Sequence, residues 1–198
     1  MPSKDEIEHA SVVKFARWLE SEGMASFDDP TDFRELQSWS ARSPGEFWGA
    51  VATFFDVAFV TPPTTSLADE SMPGAVWFPG ATLNIAEHFL RGGADGATAV
   101  HLVRDDGSRD SITFGELRRQ VGTAAAGLAE LGVGAGDRVV AYLPSSIEGL
   151  VAFLATASVG ATWGQTAMDY AAPAAADRLA QLEPLVVVVG TGYTFKGK

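Results

Sequence analysis

The sequence predicts an α/β fold: a partial doubly wound parallel sheet with helices on both faces, preceded by a helical N-terminal extension and a β-hairpin. Three observations predict it. From residue 114 onward, helix-like and strand-like segments alternate. The strand-like segments 138–143, 161–166 and 185–189 are almost wholly apolar, as strands covered on both faces are. Residues 1–60 instead carry apolar side chains at helical intervals, interrupted by capping and breaking signals.

The extension opens with Ser3 and Glu6 at capping-box spacing. Val12, Phe15, Ala16 and Leu19 then recur at helical intervals, so one helix is expected to run to Gly23. A second short helix is expected from Thr31, behind Pro30, carrying Phe33, Leu36 and Trp39. Ser43-Pro44-Gly45-Glu46 marks a third helix: Ser43 as cap, Pro44 where a missing N–H costs nothing, Glu46 reaching back. Phe47, Trp48, Val51, Phe54 and Phe55 follow at the spacing of a packing face.

Residues 61–82 hold Pro62, Pro63, Pro73, Gly74, Pro79 and Gly80, and read as an extended connector draped over a core by Trp77 and Phe78. A helix is expected from about Thr82 to Arg91, stopped by Gly92 and Gly93. Residues 99–103 and 109–114 alternate around Asp105-Asp106-Gly107-Ser108, a hairpin with its turn. Thr113 and Glu116 start the next helix, which places Leu117, Val121, Ala124, Leu128 and Leu131 on one face. Strand 138–143, helix 146–159, strand 161–166, helix 173–182 and strand 185–189 complete the pattern, and right-handed crossovers join them into half of a doubly wound sheet. The organisation is thus a helical extension (1–60), a connector (61–82) and the first, incomplete part of an α/β domain (83–198).

Composition narrows the function classes. Fourteen Lys and Arg stand against 25 Asp and Glu, a net charge of −11, and the densest basic cluster is Arg118-Arg119, so nucleic acid is not an expected partner. With no cysteine, disulfides, Cys-based zinc sites and thiol catalysis are excluded. His9, His88 and His101 have no metal-ligand spacing. Met1–Glu8 is charged and is not a secretory signal. Gly149–Met168 is twenty residues without a charge, but its Gly, Ser, Thr and Gln residues mark a buried helix followed by a buried strand. A cytoplasmic protein off the membrane is expected.

Gly192 to Lys198 fits G-x-x-x-x-G-K after a strand, yet a phosphate-cradling loop also needs a following Ser or Thr and a helix, so a Gly-rich turn is expected. Gly132, Gly134 and Gly136 lie between a helix and a strand, the reverse of a dinucleotide loop, and read as a helix-terminating turn. Ser145 and Ser146 sit at the carboxyl end of a strand, where open α/β sheets bind ligands, and read as helix caps. Asp169 and Tyr170 fall on the same edge after the next strand, and Asp177-Arg178 on the following helix reads as a solvated face. No catalytic or metal-ligating constellation is identified.

The string from Trp77 to His88 (WFPGATLNIAEH), preceded by Met72-Pro73-Gly74-Ala75, resembles the entry segment of the acetyl-CoA and acetoacetyl-CoA synthetases, closer to the latter. Residues 112–117 (ITFGEL), 131–139 (LGVGAGDRV), 142–144 (YLP) and 157–161 (ASVGA) resemble successive blocks of the wider adenylate-forming superfamily. Residues 177–184 (DRLAQLEP) and 192–198 resemble the acetoacetyl-type enzymes again. The resemblance implies an ATP-dependent acid–CoA ligase acting on a small carboxylic acid, with ATP, CoA and Mg2+ as cofactors of the complete enzyme. The family's phosphate loop ending in Lys, its later nucleotide-binding Asp and Arg, and its Lys on a mobile carboxy-terminal domain have no counterpart in the sequence. The chain is therefore expected to be the amino-terminal part of such a ligase, truncated or split, and inactive alone. Its expected partner is the remainder of the ligase, a complementary chain, or a second copy. The alternative is a stand-alone, non-catalytic binding or scaffold protein derived from that family.

Where acetoacetyl-type enzymes read W-S-S-C-S-P-D-F-G, this chain reads WGQTAMDYA over 163–171: the Trp and the Asp-aromatic pair remain, and the Ser-rich stretch does not. In related acetate enzymes this segment and the basic residues after the next strand lie near the CoA nucleotide. By position the resemblance nominates Asp169, Tyr170, Lys196 and Lys198 for the vicinity of CoA.

Overall fold

The computed structural model describes residues 3–192, which fold as two compact units divided between Leu83 and Asn84. Lys196 and Lys198 lie outside the described residues.

The first unit begins with four helices: α1 (Lys4–Glu8), α2 (Ser11–Ser21), α3 (Phe33–Arg42) and α4 (Pro44–Phe54). The capping box at Ser3 forms in both directions, with the Glu6 N–H donating to Ser3 Oγ and the Ser3 N–H to Glu6 Oε2. The expected single helix is two, because Ala10 is extended (φ −62°, ψ 139°). Only α2 has a face to bury: Val13, Phe15, Ala16 and Leu19 are all buried, whereas α1 buries nothing. The break lets α2 take its own direction against Leu36 and Ala50, inside a ring of Trp18, Trp39, Phe47 and Phe54. Phe15 and Phe54 meet edge-on with centroids 5.1 Å apart. Trp48 and Phe55, expected on the packing face, remain about half exposed, with Trp48 set edge-on to Trp77.

Ser43 does not cap α4 with its side chain. It is also the C-cap of α3, its N–H donating to the Trp39 carbonyl, and at φ −130°, ψ 60° one residue serves both ends. Pro44 does occupy the first turn of α4. The connector is more ordered than expected. Strands β1 (Phe59–Thr61), β2 (Leu67–Asp69), β3 (Val76–Trp77) and β4 (Thr82–Leu83) form two antiparallel pairs, β1 with β4 and β2 with β3. Thr82, expected to open a helix, instead accepts the Thr61 N–H on its hydroxyl within the β1–β4 pair.

The second unit starts with α5 (Ile85–Leu90), capped by Asn84, and the antiparallel hairpin β5 (Thr98–Val103) and β6 (Arg109–Thr113). Then come α6 (Phe114–Glu130), β7 (Arg138–Tyr142), α7 (Ile147–Ser158), β8 (Thr162–Thr166), α8 (Ala172–Ala180) and β9 (Val186–Val189). Strands β7, β8 and β9 are parallel, in the order β8–β7–β9. This confirms the α/β expectation. Val139, Trp163, Val186 and Val188 share the face that packs against α6 and α7, around Leu117, Val121, Val151, Leu154 and Ala155. Val140, Gly164 and Val187 point the other way, and a Cβ on Gly164 would lie 2.7 Å from Leu182 just beyond α8. The β8–β9 connection passes over β7 in the direction opposite to the β7–β8 connection, so right-handed crossovers put α7 and α8 on opposite faces. Gly132 and Gly136 take positive φ in the turn that ends α6. The uncharged stretch 149–168 folds as most of α7 followed by β8, and no helix among the described residues is long and apolar enough to cross a membrane.

Candidate functional site

The two connections leaving β7 and β8 diverge to opposite faces of the sheet, which opens a crevice at their carboxyl ends. In open α/β sheets ligands bind at such a switch point. Leu143, Pro144, Ser145 and Ser146 leave β7 on one side, and Ala167, Met168 and Asp169 leave β8 on the other. The tip of the β5–β6 hairpin contributes Arg104, Asp105 and Asp106, enclosing a recess of about 640 Å³. A second, mostly apolar recess of about 300 Å³ shares Pro144, Ser145, Ser146 and Gln165 and is floored by Leu102, Phe153 and Trp163.

Local chemistry explains the walls. Ser146 is extended (φ −150°, ψ 164°), and its Oγ accepts the Gly149 N–H at 3.1 Å, starting α7 as expected of a cap. Gln165 Nε2 donates to the Leu143 carbonyl at 3.1 Å and ties the ends of the two strands together. Tyr142, the last residue of β7, places its hydroxyl 2.6 Å from the Tyr170 carbonyl and 3.3 Å from that of Met168. The Arg178 guanidinium lies 4.6 Å from the centre of the Tyr170 ring.

Of the residues nominated from sequence, Asp169 is on the rim of the recess, exposed, and Tyr170 follows it under Arg178. Lys196 and Lys198 are outside the described residues. Asp177 and Arg178 are exposed on α8, but Arg178 is engaged with Tyr170 rather than only solvated. Sequence reading missed the hairpin tip, which it took for a turn and nothing more, and it missed Tyr142 and Gln165 as ties. The register that sets Tyr142 opposite Thr166 belongs to the folded sheet and leaves no signal in the sequence.

The recess is acidic: the carboxylates of Asp105, Asp106 and Asp169 face one guanidinium, Arg104, which itself pairs with Asp110 at 3.5 Å. The Asp106 carboxyl is held below its ordinary value, first by the Ser108 hydroxyl, then by the Ser108 N–H and the charge of Arg104. Asp106 therefore stays ionised through the neutral range. Such a wall suits hydroxyl and amino donors better than a phosphate, which would need cations beyond Arg104. The lining of this recess thus does not fit a triphosphate, and among the described residues no group of three or more His, Asp or Glu could hold a metal ion.

Comparison with known proteins places this geometry. Residues 33–89 match the family model for the acetyl-coenzyme A synthetase N-terminus, and residues 90–197 match that for AMP-binding enzymes. The chain is 35% identical to mouse (Mus musculus) acetoacetyl-CoA synthetase over 176 residues, covering 84% of this chain and 25% of that protein. It is 33% identical to the acetoacetyl-coenzyme A synthetase of Rhizobium meliloti over 198 residues, covering 100% of this chain and 30% of the relative. A solved structure of acetoacetyl-CoA synthetase from Streptomyces lividans matches all of this chain and 31% of its own, with a TM-score of 0.91 at 42% identity. The chain spans about a quarter to a third of the length of these relatives. With more than half its residues under a single family model, the chain belongs to the AMP-binding enzyme family.

Proposed function

We infer that the chain is the amino-terminal part of an ATP-dependent acid–CoA ligase of the acetoacetyl-CoA synthetase type. The observation that carries this is the end-to-end match to the Streptomyces lividans structure at 42% identity. In such a ligase a substrate carboxylate oxygen attacks the α-phosphorus of ATP and pyrophosphate leaves. The CoA thiol then attacks the acyl-adenylate carbonyl and AMP leaves. Magnesium and preorganised donors offset the phosphate charge.

The chain's own share is the recess at the β7 and β8 ends, with Asp169 and Tyr170, and Lys196 and Lys198 in sequence beyond β9, as the groups nearest the CoA nucleotide. The acidic lining favours contact with the amino-bearing face of the adenine, and the two lysines supply the charge that phosphates require. The grip on the triphosphate comes from residues that this sequence does not contain. The setting is cytoplasmic, and the acid is a small one.

Loss of one transition-state donor costs roughly 10²–10³ in rate, so the chain alone is expected to turn over at background level. A pyrophosphate-release assay with acetoacetate and related acids, ATP and CoA tests this. Release no faster than the protein-free control supports the reading, and sustained release by the pure chain contradicts it.

One observation favours a second reading, a non-catalytic protein that works through another chain. Among the described residues strand β9 is an edge of the sheet, and Val187 and Val189 on its α8-side face are 52% and 62% exposed. The rest of the ligase, a complementary chain or a second copy would pair there.

A further inference from the structure

We propose that Tyr142 is the positioning residue of the loop 167–171 that carries Asp169 and Tyr170. This rests on the reading that this loop meets the CoA nucleotide. Tyr142 ends the central strand, in register with Thr166 of β8 and Val189 of β9, so its backbone is fixed on both sides by parallel ladders. Alternation along β7 sends its side chain to the α8 face, the side on which the loop leaves β8. The hydroxyl there has one hydrogen to give. It donates to the Tyr170 carbonyl at 2.6 Å, with the Met168 carbonyl a weaker second acceptor at 3.3 Å.

The two carbonyls bracket Asp169. One phenol fixes the chain on both sides of the carboxylate that stands at the rim of the recess. At the far end, the Tyr170 ring is held under Arg178 of α8. The loop is otherwise largely exposed: Ala167, Asp169, Tyr170 and Ala171 all face solvent. Its order comes from these two anchors, not from burial, and the Tyr142 anchor acts on backbone groups that any loop side chain would leave in place. The tie needs only carbonyl oxygens.

Limited chymotryptic cleavage of the 198-residue chain, with the fragments identified by mass spectrometry, tests this. Tyr142→Phe removes one hydrogen bond and keeps the ring, so cleavage after Tyr170 should speed up about fivefold to tenfold while cleavage within β7, β8 and β9 does not change. Tyr170→Phe keeps the carbonyl, the ring and the cleavage site and should be cut like the wild type. Arg178→Gln should speed the same cut by about threefold. Unchanged cleavage after Tyr170 in Tyr142→Phe, or a rise spread evenly over the sheet, overturns the proposal. Adding CoA separates it from the reading beneath it. If CoA protects 167–171 from cleavage yet Tyr142→Phe leaves the loop unchanged, the positioning role is overturned. If Tyr142→Phe loosens the loop and saturating CoA protects nothing there, Tyr142 stands and the CoA assignment falls.

Discussion

Asn84 satisfies two helix ends with one side chain. Its Oδ1 accepts the N–H groups of Ala86 and Glu87 at the start of α5. Its Nδ2 donates to the carbonyls of Ala157 and Ser158 at the end of α7. Replacing Asn84 by Asp keeps the acceptor half and turns a carboxylate toward the negative end of α7. Asn84→Asp should cost about 1–3 kcal/mol in urea unfolding at neutral pH, since two partly buried carbonyls lose their donors. A loss of under a few tenths would show that water replaces the amide. Arg118 works comparably on the segment after α5: its guanidinium donates to the carbonyls of Leu90 and Gly93, pairs with Asp95 at 2.6 Å and lies over the Phe114 ring. The sequence reading found both residues in meaningful places, one in a family string and the other on an amphipathic helix. It could not find their partners, because a side chain's choice between solvent and a distant carbonyl leaves no mark at its own position.

At the scale of elements, α3 shows how a cap and a charge combine. Asp32 accepts the Arg34 N–H at 3.0 Å and also receives the Arg34 guanidinium on both oxygens. The Arg34 side chain first, and its N–H second, hold the Asp32 carboxyl below its ordinary value. The folded state therefore binds the Asp32 proton more weakly than the unfolded chain does. This contribution is complete above the unfolded value of about 3.9 and is lost as pH falls through the lower folded value. Asn keeps the cap and removes the charge, so the stability gap between wild type and Asp32→Asn should be present at neutral pH and close as pH falls below the ordinary carboxylate range. A gap that persists in acid would mean that the charge is irrelevant. In the same unit Leu19, fully buried against α3 and α4, should cost about 2–5 kcal/mol on replacement by Ala, measured by chemical denaturation.

The elements also show what was legible. Strands β7 and β9 could be read because apolar runs such as 139–143 and 185–189 have few other uses between helices, and β8 by its place between two of them; Ser146, Pro44 and Thr113 mark the starts of α7, α4 and α6 by local chemistry. The break at Ala10 could not be read, since Ala favours helix and packing in α2 decides the matter. The four short strands of 59–83 were equally hidden: their pairing depends on partners across a loop, and Thr82 went to the sheet while the helix waited for Asn84. The recess was half visible, through Ser145, Ser146 and Asp169. Its other wall comes from a hairpin tip that only the tertiary fold brings there.

At the scale of the whole molecule, an acidic chain carries a neutral apolar margin along β9. Net charge is −11, yet residues 184–192 contain no charge, and Leu185, Val187 and Val189 of this segment are all more than half exposed. Repulsion holds most of the surface apart, and this edge is where another strand can be accepted. The chain should associate as its concentration rises, and Val187→Lys with Val189→Lys should return it to the monomer in sedimentation velocity. Equal association of the two proteins would place the contact elsewhere.

The central claim is that this chain folds as the opening part of an acid–CoA ligase whose triphosphate grip lies in other residues. Joining it covalently to the remaining portion of the Streptomyces lividans acetoacetyl-CoA synthetase, and measuring pyrophosphate release with acetoacetate, ATP and CoA, tests that claim most directly. The account predicts turnover by the folded fusion and none by either piece alone. Turnover by the 198-residue chain unaided, or a folded fusion that releases no pyrophosphate, would contradict it.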